Sequence, residues 1–253
     1  MNSNKTSKKR ADKLLVERGL CESREKAQAL IIAGKVWFSK DAKNWYKVEK
    51  TSQTLEESVF LKIEEGLKYV SRGGFKLEGA IKAFMLEIKD LVCLDVGAST
   101  GGFTHCLLLH GAKRVYAVDV GKNLLHYSLR NVPRVIVMEG INARYLSKDM
   151  FPEEMDLITV DVSFISLKKV LPALVPLLKS DGKILALIKP QFEAGTKFVK
   201  KGVVKDPWIH KKVVDEIWEF IKTLKLTPLG VVESPILGPK GNKEFFLLAV
   251  RKV

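Results

Sequence analysis

Asp95-Val96-Gly97-Ala98-Ser99-Thr100-Gly101-Gly102 follows the apolar run Leu91-Val92-Cys93-Leu94 and opens a stretch with helical periodicity. A buried strand ending in an acid, a glycine-rich turn and a helix start together make a small-molecule site at the edge of a parallel sheet. The glycines let the backbone approach a ligand closely, and the helix start offers free N–H groups, here from Thr100 and Gly101. The spacing is G-x-x-x-G-G rather than the dinucleotide G-x-G-x-x-G, and no P-loop Lys-Ser/Thr follows. A carboxylate two residues before the first glycine repels a pyrophosphate but holds an ammonium or a hydroxyl. A ligand with a cationic amino-acid end and a ribose fits, which describes S-adenosylmethionine better than NAD or ATP. Asp95, Gly97, Ser99, Thr100, Gly101, Gly102 and the following Phe103 are therefore candidate cofactor residues.

Outward from this turn the chain alternates strand and helix from Tyr69 onward, the sign of a parallel sheet covered on both faces. Apolar strands are predicted at 91–95, 114–119, 135–139, 157–160 and 183–188, with late strands at 229–233 and 245–250. Helical patterns fill 75–84, 102–110, 124–130, 167–178 and 210–224. Seven strands with interleaved helices is the count of a Rossmann-like class I methyltransferase sheet. The second strand ends in Asp119, 22 residues after Gly97, where an acid pairs with the ribose hydroxyls of a nucleoside; Val120 follows it. Taken alone, Asp119 reads equally as a helix cap or turn residue. Residues 190–207 form the one long non-periodic stretch, and loops of that length are usually functional.

Two further strand ends carry charge. The fourth runs into Asp161, within Thr159-Val160-Asp161-Val162-Ser163-Phe164-Ile165-Ser166, and the fifth into Lys189, within Leu187-Ile188-Lys189-Pro190-Gln191-Phe192-Glu193. The carboxyl ends of central strands face the ligand crevice, so both residues are expected beside the cofactor's reactive group. An ammonium closing a buried strand avoids such a position unless paired, and Asp161 is the natural partner. A lysine–aspartate couple beside a methyl donor suits the handling of a hydroxyl proton. The plainer readings are a strand-end cap and a lysine snorkelling at the sheet rim. Lys76, after Ser71-Arg72-Gly73-Gly74-Phe75, and Glu244, after Gly238-Pro239-Lys240-Gly241-Asn242-Lys243, stand at comparable places, and each is weak alone. Arg72, Lys122, Arg144, Lys200, Lys201 and Lys205 lie on loops suited to phosphates. Phe164, Phe192 and Trp208 are candidates to stack on a base, although core packing is the commoner fate of any aromatic.

The chain has 253 residues and a net charge of +14. Residues 1–50 hold 13 lysines and arginines against 6 acids, half of the surplus in a fifth of the length. That block reads as an electrostatic footprint for a polyanion, against the plainer reading of a solvated lysine-rich surface. Within it, residues 11–18 and 24–33 are short amphipathic helices ended by Gly19 and Gly34, with Ser23 capping the second, and β-like pieces follow at 35–38, 45–48 and 59–63. The expected organisation is a small α+β module over 1–64, a linker over 65–70 and an α/β domain over 71–253. Three scattered cysteines (Cys21, Cys93, Cys106) fit reduced thiols and a cytoplasmic location. Four histidines without ligand spacing give no metal site, and no apolar run or leader-like segment points to a membrane or to secretion.

The chain resembles the TlyA or haemolysin A family, in which an S4 RNA-binding domain precedes an FtsJ-like methyltransferase domain. The resemblance rests on Tyr69-Val70-Ser71-Arg72-Gly73-Gly74-Phe75-Lys76-Leu77, the stretches 95–103, 161–167 and 189–193, Gly202-Val203-Val204, Ser234-Pro235 and Gly238-Pro239-x-Gly241-Asn242-x-Glu244. It implies an S-adenosylmethionine-dependent 2′-O-methyltransferase acting on cytidine in ribosomal RNA. It also implies a catalytic Lys-Asp-Lys-Glu tetrad on Lys76, Asp161, Lys189 and Glu244. Arg10, Lys13, Arg18, Arg24, Lys35, Arg72 and Phe192 are then the expected RNA contacts, and ribosomal RNA or a ribosomal subunit the partner. Two departures stand out: Ser39-Lys40-Asp41-Ala42-Lys43 replaces the usual S4 Asn-Gly turn, and Lys200-Lys201-Gly202-Val203 carries a lysine where the family often has glycine. Rival readings are a non-catalytic assembly or RNA-binding factor, a membrane-lytic protein, and the same chemistry on tRNA or protein.

Overall fold

The structure is a computed structural model that describes residues 7–64 and 68–252. It divides into two compact units, Met1–Lys68 and Tyr69–Val253. Residues 65–67 of the expected linker and residues 1–6 of the basic block lie outside the described residues.

In the first unit, β1 (Lys8–Arg10) leads into α1 (Ala11–Glu17) and α2 (Arg24–Ile32), followed by β2 (Val36–Ser39), β3 (Tyr46–Lys47), β4 (Thr54–Glu56) and β5 (Phe60–Ile63). Ser23 caps α2 as predicted, its hydroxyl accepting from the Lys26 N–H at 3.2 Å. β2 is the centre of a three-stranded antiparallel sheet, and β1 pairs with β4, a ribbon too short to leave a periodic signal in the sequence. Leu14, Leu15, Ala27, Ile31, Val36 and Val48 form the small core. Asp41 builds the turn that lacks Asn-Gly. Its carboxylate accepts from the N–H groups of Lys43 (2.9 Å) and Asn44 (2.8 Å), and Ala42 takes a φ of +59°.

In the second unit, α3 (Gly73–Ala83) precedes β6 (Val92–Val96), α4 (Gly102–Leu109), β7 (Arg114–Asp119), α5 (Tyr127–Arg130), β8 (Val135–Glu139), β9 (Met155–Val160), α6 (Leu167–Leu174), β10 (Leu178–Ile188), α7 (Pro190–Glu193), α8 (Pro207–Thr223), β11 (Leu226–Glu233) and β12 (Phe245–Arg251). These make one seven-stranded sheet in the order β11-β12-β10-β9-β6-β7-β8, parallel except for β12, which runs antiparallel to both neighbours. One face buries Leu77, Ala80, Ile81, Cys106 and Leu107 from α3 and α4; the other buries Val170, Leu171, Leu174, Val213, Ile217 and Ile221 from α6 and α8. β6 is buried at every position, which explains its unbroken apolar run. From β6 the chain winds to β7 and β8, then returns to place β9 on β6's other side. A ligand crevice is expected at that switch point, beyond the ends of β6 and β9.

Several boundaries differ from the predicted ones. The helix expected at 124–130 begins only at Tyr127, because the Glu139 carboxylate accepts from the N–H groups of Asn123, Leu124 and Leu125 and holds them as a loop. The helix expected to reach 178 stops at Leu174, where Pro176 turns the chain into β10. α8 begins earlier than expected, at Pro207, with Asp206 as its cap (2.9 Å to the Trp208 N–H).

Candidate active site

The turn after β6 is shaped by what its glycines must avoid. Gly97 has a φ of +83°, and a Cβ there would lie 2.5 Å from the Asp161 carbonyl oxygen. The N–H of Asp161 donates to the Val96 carbonyl at 2.9 Å, so the ends of β6 and β9 are bound backbone to backbone. A Cβ on Gly102 would meet the Ser71 hydroxyl at 2.3 Å and the Gly74 nitrogen at 2.9 Å, which sets the start of α4 against the start of α3. Asp119 closes the loop from the other side. Its two oxygens accept from the N–H groups of Ser99 and Gly121, each at 2.8 Å.

Two hollows open around this turn. The first, about 350 Å³, is lined by Ser71, Arg72, Gly73, Lys76, Thr100, Gly102, Phe103 and the Gly238 turn. The second, about 450 Å³ and mainly apolar, is lined by Val118, Asp119, Val120, Leu124, Ile141, Ala143, Phe164 and Ile165, among others. Gly97, Ser99 and Asp161 belong to both. At this junction the four tetrad candidates form two ion pairs. Lys189 Nζ lies 2.5 Å from Asp161 Oδ1 and 2.9 Å from Ser163 Oγ; Lys76 Nζ lies 2.6 Å from Glu244 Oε2. Glu244 is 1% exposed, and both lysines are 8% exposed. Gln191 Nε2 adds a donor to Glu244 at 3.2 Å, and glycine at 238 leaves room for that carboxylate, since a Cβ there would lie 2.0 Å from Glu244 Oε1.

The sequence model of the FtsJ-like methyltransferase family matches residues 69–251, the whole of the second unit but for its last residues. The chain belongs to this family. Within it the chain resembles TlyA and haemolysin A proteins. The chain is 43% identical over 241 residues to the 16S/23S rRNA (cytidine-2′-O)-methyltransferase TlyA of Mycobacterium tuberculosis, covering 94% of this chain and 88% of that one. It is 41% identical over 238 residues to Hemolysin A of Brachyspira hyodysenteriae, covering 93% and 97%. A solved Streptococcus thermophilus protein that carries the name hemolysin superposes with a TM-score of 0.73 at 41% identity, covering 98% of this chain and 90% of that one.

On this FtsJ-like frame, most predicted cofactor residues line the hollows: Gly97 and Ser99 both of them, Thr100, Gly102 and Phe103 the first, Asp119 and Val120 the second. Gly101 lines neither; with a φ of +93° it leaves room for Leu125 and Leu129 behind the turn. Asp95 corrects the expectation of direct ligand contact. It is fully buried beneath the turn, and its oxygens accept from Thr104 Oγ1 (2.7 Å) and Thr159 Oγ1 (3.2 Å). Its work is to brace β6 against α4 and β9. Arg72 lines the first hollow and donates to the Leu237 carbonyl. The rings of Phe192 and Phe164 have centroids 5.0 Å apart, and Phe164 is 91% exposed at the second hollow, whereas Trp208 stands apart at the start of α8 beside Lys212. Glu193, quoted only as part of a motif, caps α6: it accepts from Ser166 Oγ (2.6 Å) and the Leu167 N–H (2.7 Å).

In the first unit, Asp12 organises the arginines and was missed in the sequence. It is fully buried and accepts from Arg10 (3.0 and 2.9 Å), Arg24 (2.9 Å) and Gln28 (2.8 Å). The Arg10 hydrogen bonds, with those of Gln28 and Arg24, hold its carboxyl well below the usual range against the opposing effect of burial. Arg10 and Arg24 are thus fixed side by side, each with much of its side chain exposed. Arg18 is placed differently, donating to the carbonyls of Val59 and Glu57. Lys13 is exposed and Lys35 partly so.

Burial pushes Asp95 up to about 7, against the pull of its two threonine hydroxyls. The folded protein therefore binds this proton more tightly than the unfolded chain. The associated stability is complete below about pH 4 and is lost as pH rises through 7, on the order of 4 kcal/mol at most. The melting temperature is expected to fall between pH 5 and 8, and Asp95→Asn to flatten that fall. Parallel thermal melts across this range check it; identical slopes would remove Asp95 from the account.

Proposed function

We propose that this FtsJ-like protein methylates a ribose 2′-hydroxyl of ribosomal RNA, at cytidine, with S-adenosylmethionine as donor. The observation that carries the reading is the Lys189–Asp161 pair at the point where two ligand-sized hollows meet. The residues present fit the cofactor. Asp119 engages one backbone N–H per oxygen and keeps acceptor capacity for a ribose diol, beside an apolar slot suited to an adenine ring. Asp119 and Asp161 oppose a pyrophosphate in the same place. S-adenosylmethionine supplies, when bound, an electrophilic methyl group on a sulfonium.

Lys189, after its resting ammonium has released a proton to water, takes the proton of the 2′-hydroxyl as that oxygen becomes methylated, while Asp161 and Ser163 hold the amine in place. Lys76 and Glu244, kept in register by Gln191, fix the ribose, so that much of the rate comes from alignment. Phe164 and Phe192 offer a stacking surface for the base of an unpaired nucleotide. The first unit acts as an S4-like module whose Asp12-braced arginines bind RNA phosphates, so affinity falls steeply with salt. Among the described residues no helix is long and apolar enough to cross a membrane. A ribosomal RNA substrate supports a cytoplasmic location.

Ribosomal subunits from cells lacking this chain, incubated with the purified protein and methyl-labelled S-adenosylmethionine, test the proposal. Label is expected in the ribosomal RNA and not in tRNA or ribosomal protein. A protein that binds the subunits and transfers nothing is an assembly factor, and the enzymatic reading falls.

A further inference from the structure

Beside the first hollow, two tight turns place a lysine where the backbone favours glycine or asparagine. Lys201 has a φ of +52° and is followed by Gly202 at +81°; Lys240 has a φ of +57° and is followed by Gly241 at +83°. Paired positive φ values of this kind suit Asn-Gly, and a long unbranched side chain at the first position is strained. The first turn is closed by reciprocal backbone hydrogen bonds between Lys200 and Val203, both 3.0 Å. One buried side chain joins the two turns. Asn242, 2% exposed, donates through Nδ2 to the Gly202 carbonyl (2.9 Å) and the Pro239 carbonyl (3.0 Å), and its Oδ1 accepts from the Val204 N–H (3.1 Å). The Lys240 ammonium lies over the other turn, 3.1 Å from where a Cβ on Gly202 would sit.

Both lysines are exposed, and among the described residues neither forms an ion pair, whereas neighbouring Lys243 pairs with Glu233 at 3.1 Å. The second turn belongs to the site: Gly238 and Pro239 line the first hollow, and Glu244 follows two residues after Asn242. Two unneutralised cations on strained turns that Asn242 joins, beside the proposed ribose-binding tetrad, suit one chemistry, that of a phosphodiester. We infer that Lys201 and Lys240, pinned by Asn242, clamp a backbone phosphate next to the ribose being methylated. This rests on the reading of RNA as the substrate.

The test uses the full-length protein and a ribosomal RNA transcript, with affinity measured across a salt series. Lys201→Asn and Lys240→Asn remove one charge each at positions that asparagine fits, so melting temperature and cofactor affinity are expected to hold. The double variant is expected to lower the slope of log affinity against log salt by about 0.7 to 1, the change that belongs to one phosphate, and each single variant by part of that. Lys201→Arg and Lys240→Arg are expected to keep the wild-type slope. Neutral variants that fold, bind cofactor and retain the wild-type slope would overturn the clamp. A wild-type protein with no salt-dependent RNA affinity would overturn the substrate reading itself, and the clamp with it.

Discussion

Lys189→Ala is expected to reduce methyl transfer by about 10²- to 10⁴-fold while cofactor affinity stays near that of the wild type. The expectation follows from position: Lys189 lines neither hollow but reaches Asp161, which lines both, and is held there by Ser163 as well. Lys189→Arg is expected to be equally inactive, since a guanidinium keeps its proton under any working condition. Removing the amine also leaves the Asp161 carboxylate without its counter-charge, so a lower melting temperature is expected for the alanine variant and not for arginine. Single-turnover transfer assays beside calorimetric titration of the cofactor separate the two effects. Transfer by Lys189→Ala at close to the wild-type rate would take the proton-handling role away from this residue.

Gly97→Ala should act on binding rather than on chemistry. Its φ of +83° disfavours any Cβ, and that Cβ would meet the Asp161 carbonyl at 2.5 Å. Neither partner can move, because each continues a central strand and the two strands are hydrogen-bonded through Asp161 and Val96. The clash must be relieved by parting β6 from β9 at the point where both hollows meet. A loss of cofactor affinity of at least about 100-fold, close to 3 kcal/mol, is expected, together with a lower melting temperature. Gly19→Ala is the control. Gly19 also has a positive φ, +68°, but nothing lies within 4 Å of its added Cβ, so only the conformational cost of about 1 kcal/mol remains. Equal effects at Gly97 and Gly19 would mean that close packing at the crevice is not what the first glycine provides.

The second unit was legible because its strands are buried on both faces and read as short apolar runs closed by charged residues. Asp119, Asp161 and Lys189 could be placed by that rule alone, since strand ends in such sheets face the crevice. Lys76 and Glu244 could not. They meet across 168 residues of sequence, and neither a first-turn lysine nor a strand-start glutamate signals a partner by spacing; only the family resemblance joined them to the pair. Asp95 was misjudged for a related reason. The motif gives its distance from the glycines but not the direction of its side chain, which points into the packing between β6, β9 and α4. Asp12 escaped because its partners, Arg10, Arg24 and Gln28, come together only when α1 packs on α2. The ribbon of β1 with β4 and the single turn of α7 are too short to carry a hydrophobic period.

Delivery of a methyl group to a ribose oxygen is the step proposed for this crevice. Digestion to nucleosides of ribosomal RNA that has been incubated with the protein and methyl-labelled S-adenosylmethionine, followed by mass spectrometry, tests it most directly. Label in 2′-O-methylcytidine is the predicted product. Label on a base, or none in the RNA while the cofactor is bound, would contradict the account.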